Sequence, residues 1–296
     1  MRTGSFLFYA MTVEEREIEI NRERAELQSR APELWVKTLG DCARRTGDGF
    51  ALAGPTCGFC RTAGARWAMD PAYRPPEGDG RDVYDRIAGV FPPLDFLILT
   101  HRHRDHLDPM LLALAAERGV EIILPAEILP GVLEKCPALP ESAFTALEYG
   151  ASLTRGKLAI SVFPGFHSNA RRTVPCGMFR VKMPGRTWLF PGDVRDYGNI
   201  LPGPPPDLLF ANIWLGAHMA TQEEFPLLDD FCRFFGRAGA KRIVFAHLQE
   251  AARPPDSYWN SRHADIILKR MRELYPETDY TVPNPGVWYE LEHNIL

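Results

Sequence analysis

Four side chains that could bind metal lie within a segment of only six residues. Residues 101–106 have the sequence His-Arg-His-Arg-Asp-His, which is the pattern His-x-His-x-Asp-His. Zinc is bound in proteins by imidazole nitrogen and carboxylate oxygen in roughly tetrahedral sites. On a loop, this spacing can direct alternate side chains at two neighbouring points. The alternative is a solvated polar loop, and the segments around the motif decide between the two.

Three further side chains of the same chemical types follow strand-like segments. An apolar run over residues 94–100 directly precedes the motif, and similar runs precede His167, Asp193 and His247. Enzymes built on sheets hold functional side chains on short loops at strand ends, because the strands are rigid. We therefore expect these residues to meet the motif at one edge of a sheet, which favours metal binding over a solvated loop.

The hydrophobic pattern predicts the elements that would position these residues. Strands are predicted over residues 50–54, 65–70, 94–100, 120–124, 158–163, 187–190, 208–212 and 242–246, and helices over residues 110–117, 223–235 and 264–274. Asp108 is predicted to cap the first of these helices, with Pro109 at its first position.

The N-terminal part of the chain differs in composition from the rest. Residues 12–30 are highly charged, with Glu and Arg at helical spacing, which fits a solvated helix or an arm that binds a partner. No linker and no repeat divides the remainder. We predict a charged, helical extension over residues 1–34, followed by one domain over residues 35–296.

The run from Thr100 to Asp108 resembles the signature of the metallo-β-lactamase superfamily. Further matching segments are Asp70-Pro71, Phe166-His167, Gly192-Asp193, Ala246-His247 and Pro285-Gly286, so that the resemblance covers residues 50–291. It implies an α/β fold, an αββα sandwich of two mixed sheets with helices on the outer faces. The uninterrupted motif and its Asp-His-Leu-Asp ending are most similar to the branch that holds ascorbate-phosphate lactonase-type enzymes and the N-acylethanolamine-releasing phospholipase D.

The resemblance also implies a centre of two divalent metal ions. One ion would be held by His101, His103 and His167, the other by Asp105, His106 and His247, and Asp193 would bridge them. Zinc is favoured, while nitrogen and oxygen ligands leave manganese and iron open. The ions would share a hydroxide, which Asp105 orients or deprotonates. The implied protein is a dinuclear metal-dependent hydrolase that acts on a small-molecule lactone, ester or phosphodiester.

Several residues near the motif segments are candidates for contact with the substrate. His218 follows a strand and could donate a proton, although a surface position fits it equally. Arg171, Arg172 and Arg195 would suit an anionic substrate group, with solvated loop positions as the alternative. Tyr197 could shape a pocket or pack in the core. His263 is expected at the surface.

Composition narrows the function further. The net charge of −4 argues against binding of large nucleic acids, so a nuclease or cyclic-nucleotide phosphodiesterase is a weaker alternative. An iron-dependent oxygenase and a non-catalytic binding protein on the same fold also stay open, as does a homo-oligomer. No export signal or membrane span is recognised. We expect a cytoplasmic protein whose six cysteines are reduced, with Cys57 and Cys60 on a turn between strands rather than in a redox or zinc site.

Overall fold

Two sheets of seven strands each form the centre of the molecule. The computed structural model describes residues 11–75, 80–169 and 172–291, and the statements below concern those residues. The first sheet contains β1 (Gly49–Leu52), β2 (Gly58–Thr62), β3 (Ala65–Met69), β4 (Phe96–Ile98), β5 (Glu121–Pro125), β6 (Phe144–Leu147) and β14 (Trp288–Glu290). Their order across the sheet is β14-β1-β2-β3-β4-β5-β6. Pairing is antiparallel from β14 to β3 and parallel from β3 to β6.

The second sheet repeats this mixed arrangement. It contains β7 (Ser152–Arg155), β8 (Leu158–Asn169), β9 (Arg172–Met183), β10 (Arg186–Phe190), β11 (Leu208–Asn212), β12 (Arg242–Ala246) and β13 (Asp279–Thr281). The order is β13-β12-β11-β10-β9-β8-β7. Pairing is antiparallel from β7 to β10 and parallel from β10 to β13. Both sheets are therefore mixed, as the sequence predicted.

Helices cover the outer face of each sheet. They are α1 (Val13–Arg44), α2 (Arg81–Val90), α3 (Pro109–Glu117), α4 (Leu129–Lys135), α5 (Leu228–Gly236) and α6 (Ser261–Leu274). One apolar cluster joins α1 to α4 with the first sheet, a second joins α5 and α6 with the second sheet, and a third fills the space between the sheets. This confirms the predicted αββα sandwich. Within the described ranges, no helix has both the length and the apolar character needed to cross a bilayer.

Strand β4 shows why short apolar runs form the interior of this sandwich. Phe96 and Ile98 face the second sheet, whereas Leu97 faces the helices, and all three are fully buried. A strand covered on both faces needs apolar residues at every position, so it has a continuous apolar run instead of alternation. The prediction that both cysteines lie on a turn between strands was wrong for Cys60, which is within β2, whereas Cys57 directly precedes that strand. Cys57 faces the helices and Cys60 faces the second sheet, so the two thiols belong to different layers of the core.

Helix α1 is longer than the predicted charged segment. It begins after Thr12, which forms a capping box with Glu15, and it continues to Arg44. Trp35 and Leu39 are buried against the first sheet. The division suggested at residue 34 therefore falls within a continuous helix, and as a division into extension and domain it stays a prediction.

Two other predicted boundaries were wrong. The strand expected over residues 158–163 continues to Asn169, because β8 pairs with β9 in register along its whole length. The helix expected from residue 223 begins only at Leu228. The predicted start of α3 is confirmed, since Asp108 accepts hydrogen bonds from the backbone N–H groups of Met110 and Leu111, and Pro109 takes the first helical position.

Candidate metal centre

Side chains from both sheets meet at one edge of the sandwich. The motif of residues 101–106 forms the loop after β4, Asp193 follows β10, and His247 follows β12. His167 lies within β8, near its C-terminal end. The structure thus brings all seven predicted ligands to one place, where they form two groups: His101, His103 and His167, and Asp105, His106, Asp193 and His247.

The ligand atoms within each group are close enough to share a cation. In each group they all lie within 4.8 Å of one another. In the first group, His101 Nε2 is 3.1 Å from His103 Nδ1. In the second, His247 Nε2 is 3.1 Å from Asp105 Oδ2. Single ligand atoms from each residue therefore converge on two points.

Asp193 lies between the two groups. Its Oδ2 is 3.5 Å from His167 Nε2 in the first group and 3.7 Å from His247 Nε2 in the second. Its Oδ1 is 3.3 Å from His106 Nε2. Asn212 donates a hydrogen bond to Oδ1 at 2.8 Å, which fixes the plane of the carboxylate. The position of Asp193 is the one that a bridging carboxylate requires.

Asp70 determines which ring nitrogens of two histidines can bind a metal. Its Oδ2 accepts hydrogen bonds from His106 Nδ1 at 2.8 Å and from the Thr100 hydroxyl at 2.6 Å. Because that hydroxyl donates to Asp70, it accepts from His101 Nδ1, 3.1 Å away. In their neutral form, both imidazoles then carry their proton on Nδ1 and present the lone pair of Nε2 to the cluster. Such outer partners fix the tautomer and raise the basicity of metal-binding histidines.

The backbone around the ligands adopts conformations that few residues favour. Asp70 and His247 have φ values of 45° and 63°, in the left-handed region that non-glycine residues rarely occupy. Gly192, with φ of 64°, precedes Asp193, and a Cβ there would lie 2.7 Å from Cys176 Sγ. Glycine is needed at that position for both reasons. Backbone strain of this kind is concentrated at functional sites, where the surrounding fold holds it in place.

Burial and mutual charge set the protonation of the cluster. Burial lowers the pKa of His101 well below its usual value and that of His103 to about 4. Burial acts against protonation of His106 and His247 as well, but the carboxylate of Asp193 raises the pKa of both. His101 and His103 are thus in the neutral form that ligates metal. A cation would displace the proton that the carboxylates hold on the other two rings.

The two carboxylates of the cluster are ionised. Burial disfavours the charge of Asp105, yet His106 and His247 hold its pKa well below the usual value. The same two histidines hold the pKa of Asp193 down against the effect of burial. Neutral imidazoles beside ionised carboxylates are the donor set that divalent first-row metals accept.

Unpartnered polar atoms provide an independent test of whether the residues fit a metal. His106 Nε2 and both ring nitrogens of His167 are buried and have no hydrogen-bond partner. Buried polar groups without partners are rare and costly in folded proteins. Cations at the two points would satisfy Nε2 of each ring, so the side chains present fit two divalent ions.

The predicted substrate-contact residues do not all lie at the cluster. Arg195 does: its guanidinium is 3.4 Å from Asp193 Oδ2 and lies over the ring of Trp214, 4.7 Å from the centroid. Tyr197 is buried in the core, donates a hydrogen bond to the Trp214 carbonyl and packs against Phe231. Its phenol is therefore engaged away from the ligands.

The remaining candidates lie away from the ligands or outside the residues that the structure describes. The side chain of His218 is 74% exposed and its Nδ1 is 2.6 Å from Asp256 Oδ2, and none of its recorded contacts is with a metal-ligand candidate. Arg171 lies outside the described residues. Arg172 begins β9, and its side chain is likewise outside the description. A catalytic or substrate-binding role for these three residues stays a prediction.

Sequence reasoning missed an ionic network beside the second ligand group. Arg253 donates to Asp105 Oδ2 at 2.7 Å and to Glu250 at 2.5 Å. Glu250 is buried, also pairs with Arg74 at 2.6 Å, and comes within 3.6 Å of His247 Nε2. Glu250 follows His247 by only three residues, which is the one sequence signal that could have indicated it. The role of Asp70 was also missed, although the residue itself was noted.

Comparison with known proteins shows which structures share this fold. No match was found among curated proteins. Igni18, a metallo hydrolase from the archaeon Ignicoccus hospitalis, has a TM-score of 0.61 at 16% identity over 84% of this chain and 100% of its own. The metallo-β-lactamase fold protein YhfI from Bacillus subtilis has a TM-score of 0.55 at 17% identity, covering 83% of this chain and 97% of its own.

A third similar structure belongs to a larger protein. CmlA, a diiron β-hydroxylase from Streptomyces venezuelae, has a TM-score of 0.58 at 16% identity, covering 83% of this chain and 55% of its own. At these identities, the likeness shows a shared fold. The model of the β-lactamase superfamily domain matches residues 85–248, more than half of the chain and all of the ligand candidates. The chain belongs to the metallo-β-lactamase superfamily.

Proposed function

We propose that the protein is a dinuclear metal-dependent hydrolase of a small-molecule lactone, ester or phosphodiester. The observation that carries this proposal is the position of Asp193, whose two oxygens face both ligand groups. Two divalent ions, for which zinc is favoured, would lower the pKa of bound water towards about 7 and polarise a carbonyl or phosphoryl oxygen of the substrate. Assignment to the lactonase and phospholipase branch rests on the motif alone and stays part of the proposal.

The chain itself would supply orientation and charge. Asp70 and Thr100 hold the rings of His106 and His101, so that the ligand atoms are in place before a metal arrives. Ligands fixed in this way need little rearrangement during a reaction. Asp105 has one oxygen occupied by Arg253 and His247, and it is the carboxylate we propose to orient the attacking water.

Two arginines lie beside the carboxylate ligands, and one of them would bind the developing negative charge on the substrate. Arg195 is next to Asp193 and Arg253 is next to Asp105, so a guanidinium accompanies each carboxylate ligand. Arginine donates paired hydrogen bonds to carboxylate and phosphate oxygens. We propose that Arg195, stacked on Trp214, contacts an anionic oxygen of the substrate, while Tyr197 only supports the Trp214 backbone.

Metal content and hydrolysis should be measured together. We expect close to two zinc or manganese ions per chain in protein purified without added metal, and turnover of generic esters or phosphodiesters that a chelator abolishes. His103→Ala should lower the metal content and abolish turnover, because it removes one of three ligands of the first group. Arg104→Ala is the matched control, since Arg104 is exposed on the same loop. Full turnover of the His103 variant would contradict the proposal.

Oxygen chemistry on two iron ions is the second candidate. Imidazole and carboxylate ligands suit iron as well as zinc, and CmlA shows that the fold carries a diiron hydroxylase. Metal analysis separates the candidates: iron in the purified protein, with the absorption of a diiron centre and no esterase activity, would replace hydrolysis by oxygenation. A nuclease and a non-catalytic binding protein remain weaker alternatives, which the same turnover assays test.

A further inference from the structure

A small cavity lies between helix α1 and the candidate metal centre. Its volume is about 70 Å³. The wall formed by α1 consists of Leu27, Ala31, Leu34 and Trp35, and the opposite side includes Leu248 and the ligand candidate Asp105. A molecule in this cavity would therefore touch a residue of the metal cluster.

The side chains from α1 form an apolar surface that the core does not use completely. Leu27, Ala31 and Leu34 are spaced four and three residues apart, which places them on one face of the helix. All three are only partly buried, in contrast to Trp35 and Leu39, which are packed in the core. Small and apolar residues line most of the remaining wall, among them Ala53 and Pro55.

Polar contacts at the rim hold α1 in place above the cavity. Glu23 accepts hydrogen bonds from Gln249 at 2.9 Å and from Asn260 at 2.7 Å. Arg24 and Gln28 both donate to the backbone carbonyl of Ala251. The helix is therefore fixed without filling the space under its apolar face, and the cavity persists as part of the fold.

The charged groups at the cavity are already paired. Arg74 and Glu250 form an ion pair of 2.6 Å, and Arg253 neutralises Glu250 further from outside the cavity. Asp105 also pairs with Arg253. Because no cationic group among the described residues of the cavity is left without a carboxylate, an anion gains little there and would meet Glu250 and Asp105. The chemistry of the wall therefore selects an uncharged, apolar group.

The size of the cavity limits that group. A water-sized group occupies about 30 Å³, so a volume of about 70 Å³ holds roughly two to three such groups. An ethyl or isopropyl group has that many heavy atoms. A six-membered ring or a long acyl chain would exceed the space.

We propose that this cavity binds the uncharged apolar part of the substrate, a short or branched alkyl group of about two to three heavy atoms attached next to the bond that is cleaved. The identification as a substrate pocket rests on the proposed hydrolase function. Binding of an apolar group to the cavity does not, so the two can be tested separately.

The binding test uses isobutyramide, with acetamide as the matched probe that has a methyl in place of the isopropyl group. Both are neutral, and Trp35 in the wall should report occupation through its fluorescence. We expect saturable binding of isobutyramide about tenfold tighter than that of acetamide, because two more carbons are buried. The Trp35→Phe variant should lose the fluorescence change while ligand-detected NMR still shows binding. Equal binding of the two probes would overturn the proposal.

Two variants change the size of the cavity in opposite directions. Ala31→Phe should fill it and weaken binding of isobutyramide at least tenfold, whereas Leu27→Ala should enlarge it. Ala25→Phe introduces the same side chain at an exposed position of the same helix and should leave binding unchanged. If Ala31→Phe does not fold, the Leu27→Ala variant still tests the proposal, because only a cavity at this wall would gain room for a larger group.

Hydrolysis of p-nitrophenyl esters then tests the link to function. With the zinc-loaded protein we expect the isobutyrate ester to be preferred over acetate and octanoate, and Leu27→Ala to move the preference towards the larger isovalerate. Turnover whose acyl preference stays the same in both cavity variants would overturn the substrate role. If no ester is cleaved but isobutyramide binds and Ala31→Phe abolishes that binding, the cavity assignment stands and the hydrolase proposal fails.

Discussion

Replacement of Asp70 by asparagine should weaken metal binding although Asp70 is not a proposed ligand. Asp70 Oδ1 accepts the backbone N–H of Thr100 at 2.7 Å, while Oδ2 accepts the Thr100 hydroxyl and His106 Nδ1. Every one of these contacts requires an acceptor. An amide offers an acceptor on one side only, so neither orientation of the new side chain can satisfy the set.

Each orientation has a definite cost. With the amide nitrogen towards His106, the imidazole must accept on Nδ1 and carry its proton on Nε2, the atom that faces Asp193 at 3.3 Å. That tautomer blocks the ligand atom. With the nitrogen towards the Thr100 N–H, two donors face each other in a buried site, which costs about 1–3 kcal/mol.

We therefore expect Asp70→Asn to weaken zinc binding about 10- to 100-fold, the range typical for loss of such an orienting partner. This corresponds to about 1.4–2.8 kcal/mol at 1.4 kcal/mol for each tenfold change. The ion of the group that contains His106 should be lost first. Competition with a coloured zinc chelator measures both affinities.

Asp95→Asn provides the matched control. Asp95 is exposed and accepts only the backbone N–H of Arg66 through Oδ2, at 2.8 Å, among its recorded hydrogen bonds. Its replacement should leave zinc affinity unchanged. The reasoning about the His106 tautomer would be refuted if Asp70→Asn bound zinc as tightly as the unaltered protein, or if both variants lost affinity equally.

Three further predictions concern other histidines and the bridging carboxylate. Asp193→Ala should weaken binding of both metals together, because its oxygens face both groups; loss of a single ion in zinc titrations would contradict the bridge. His218→Ala should retain turnover, since its exposed ring is paired with Asp256, and a large fall in kcat would instead assign it to the reaction. Burial lowers the pKa of His263 to about 4, below the ~6.5 of an unfolded chain, so the unfolded state binds the proton first and stability falls as pH falls from ~6.5 to 4. Between pH 7 and pH 5 the free energy of unfolding should fall by about 2 kcal/mol because of His263. In urea unfolding, the His263→Gln variant should lack this part of the pH dependence.

Most of the proposed ligands were accessible from the sequence because they are marked locally. His247 directly follows a buried strand, and His101 and Asp193 each come shortly after the end of one. An apolar run followed by a polar residue specifies both the layer and the edge where the side chain emerges. The same local information gave the cap of α3 at Asp108, whereas the two mixed sheets were implied by the family resemblance.

Residues whose roles depend on partners far away in the sequence could not be identified in the same way. His263 was expected at the surface, but its Nε2 donates to the Ala220 carbonyl and it is fully buried. Arg253 reaches Asp105 across 148 residues of sequence. Nothing in the neighbouring residues of either side chain marks such a contact, because the contact is created by the packing of separate segments.

The charged residues of α1 show how the two kinds of information combine. Their helical spacing predicted a helix correctly, while the same charges suggested that it would be solvated. In the structure, Glu23 and Arg24 contact the segment that follows His247. This segment carries Glu250 and Arg253. Polar contacts hold this part of the helix where its apolar packing against the core is incomplete. The charged character that argued for an independent extension is therefore the feature that places α1 as a wall beside the candidate metal centre.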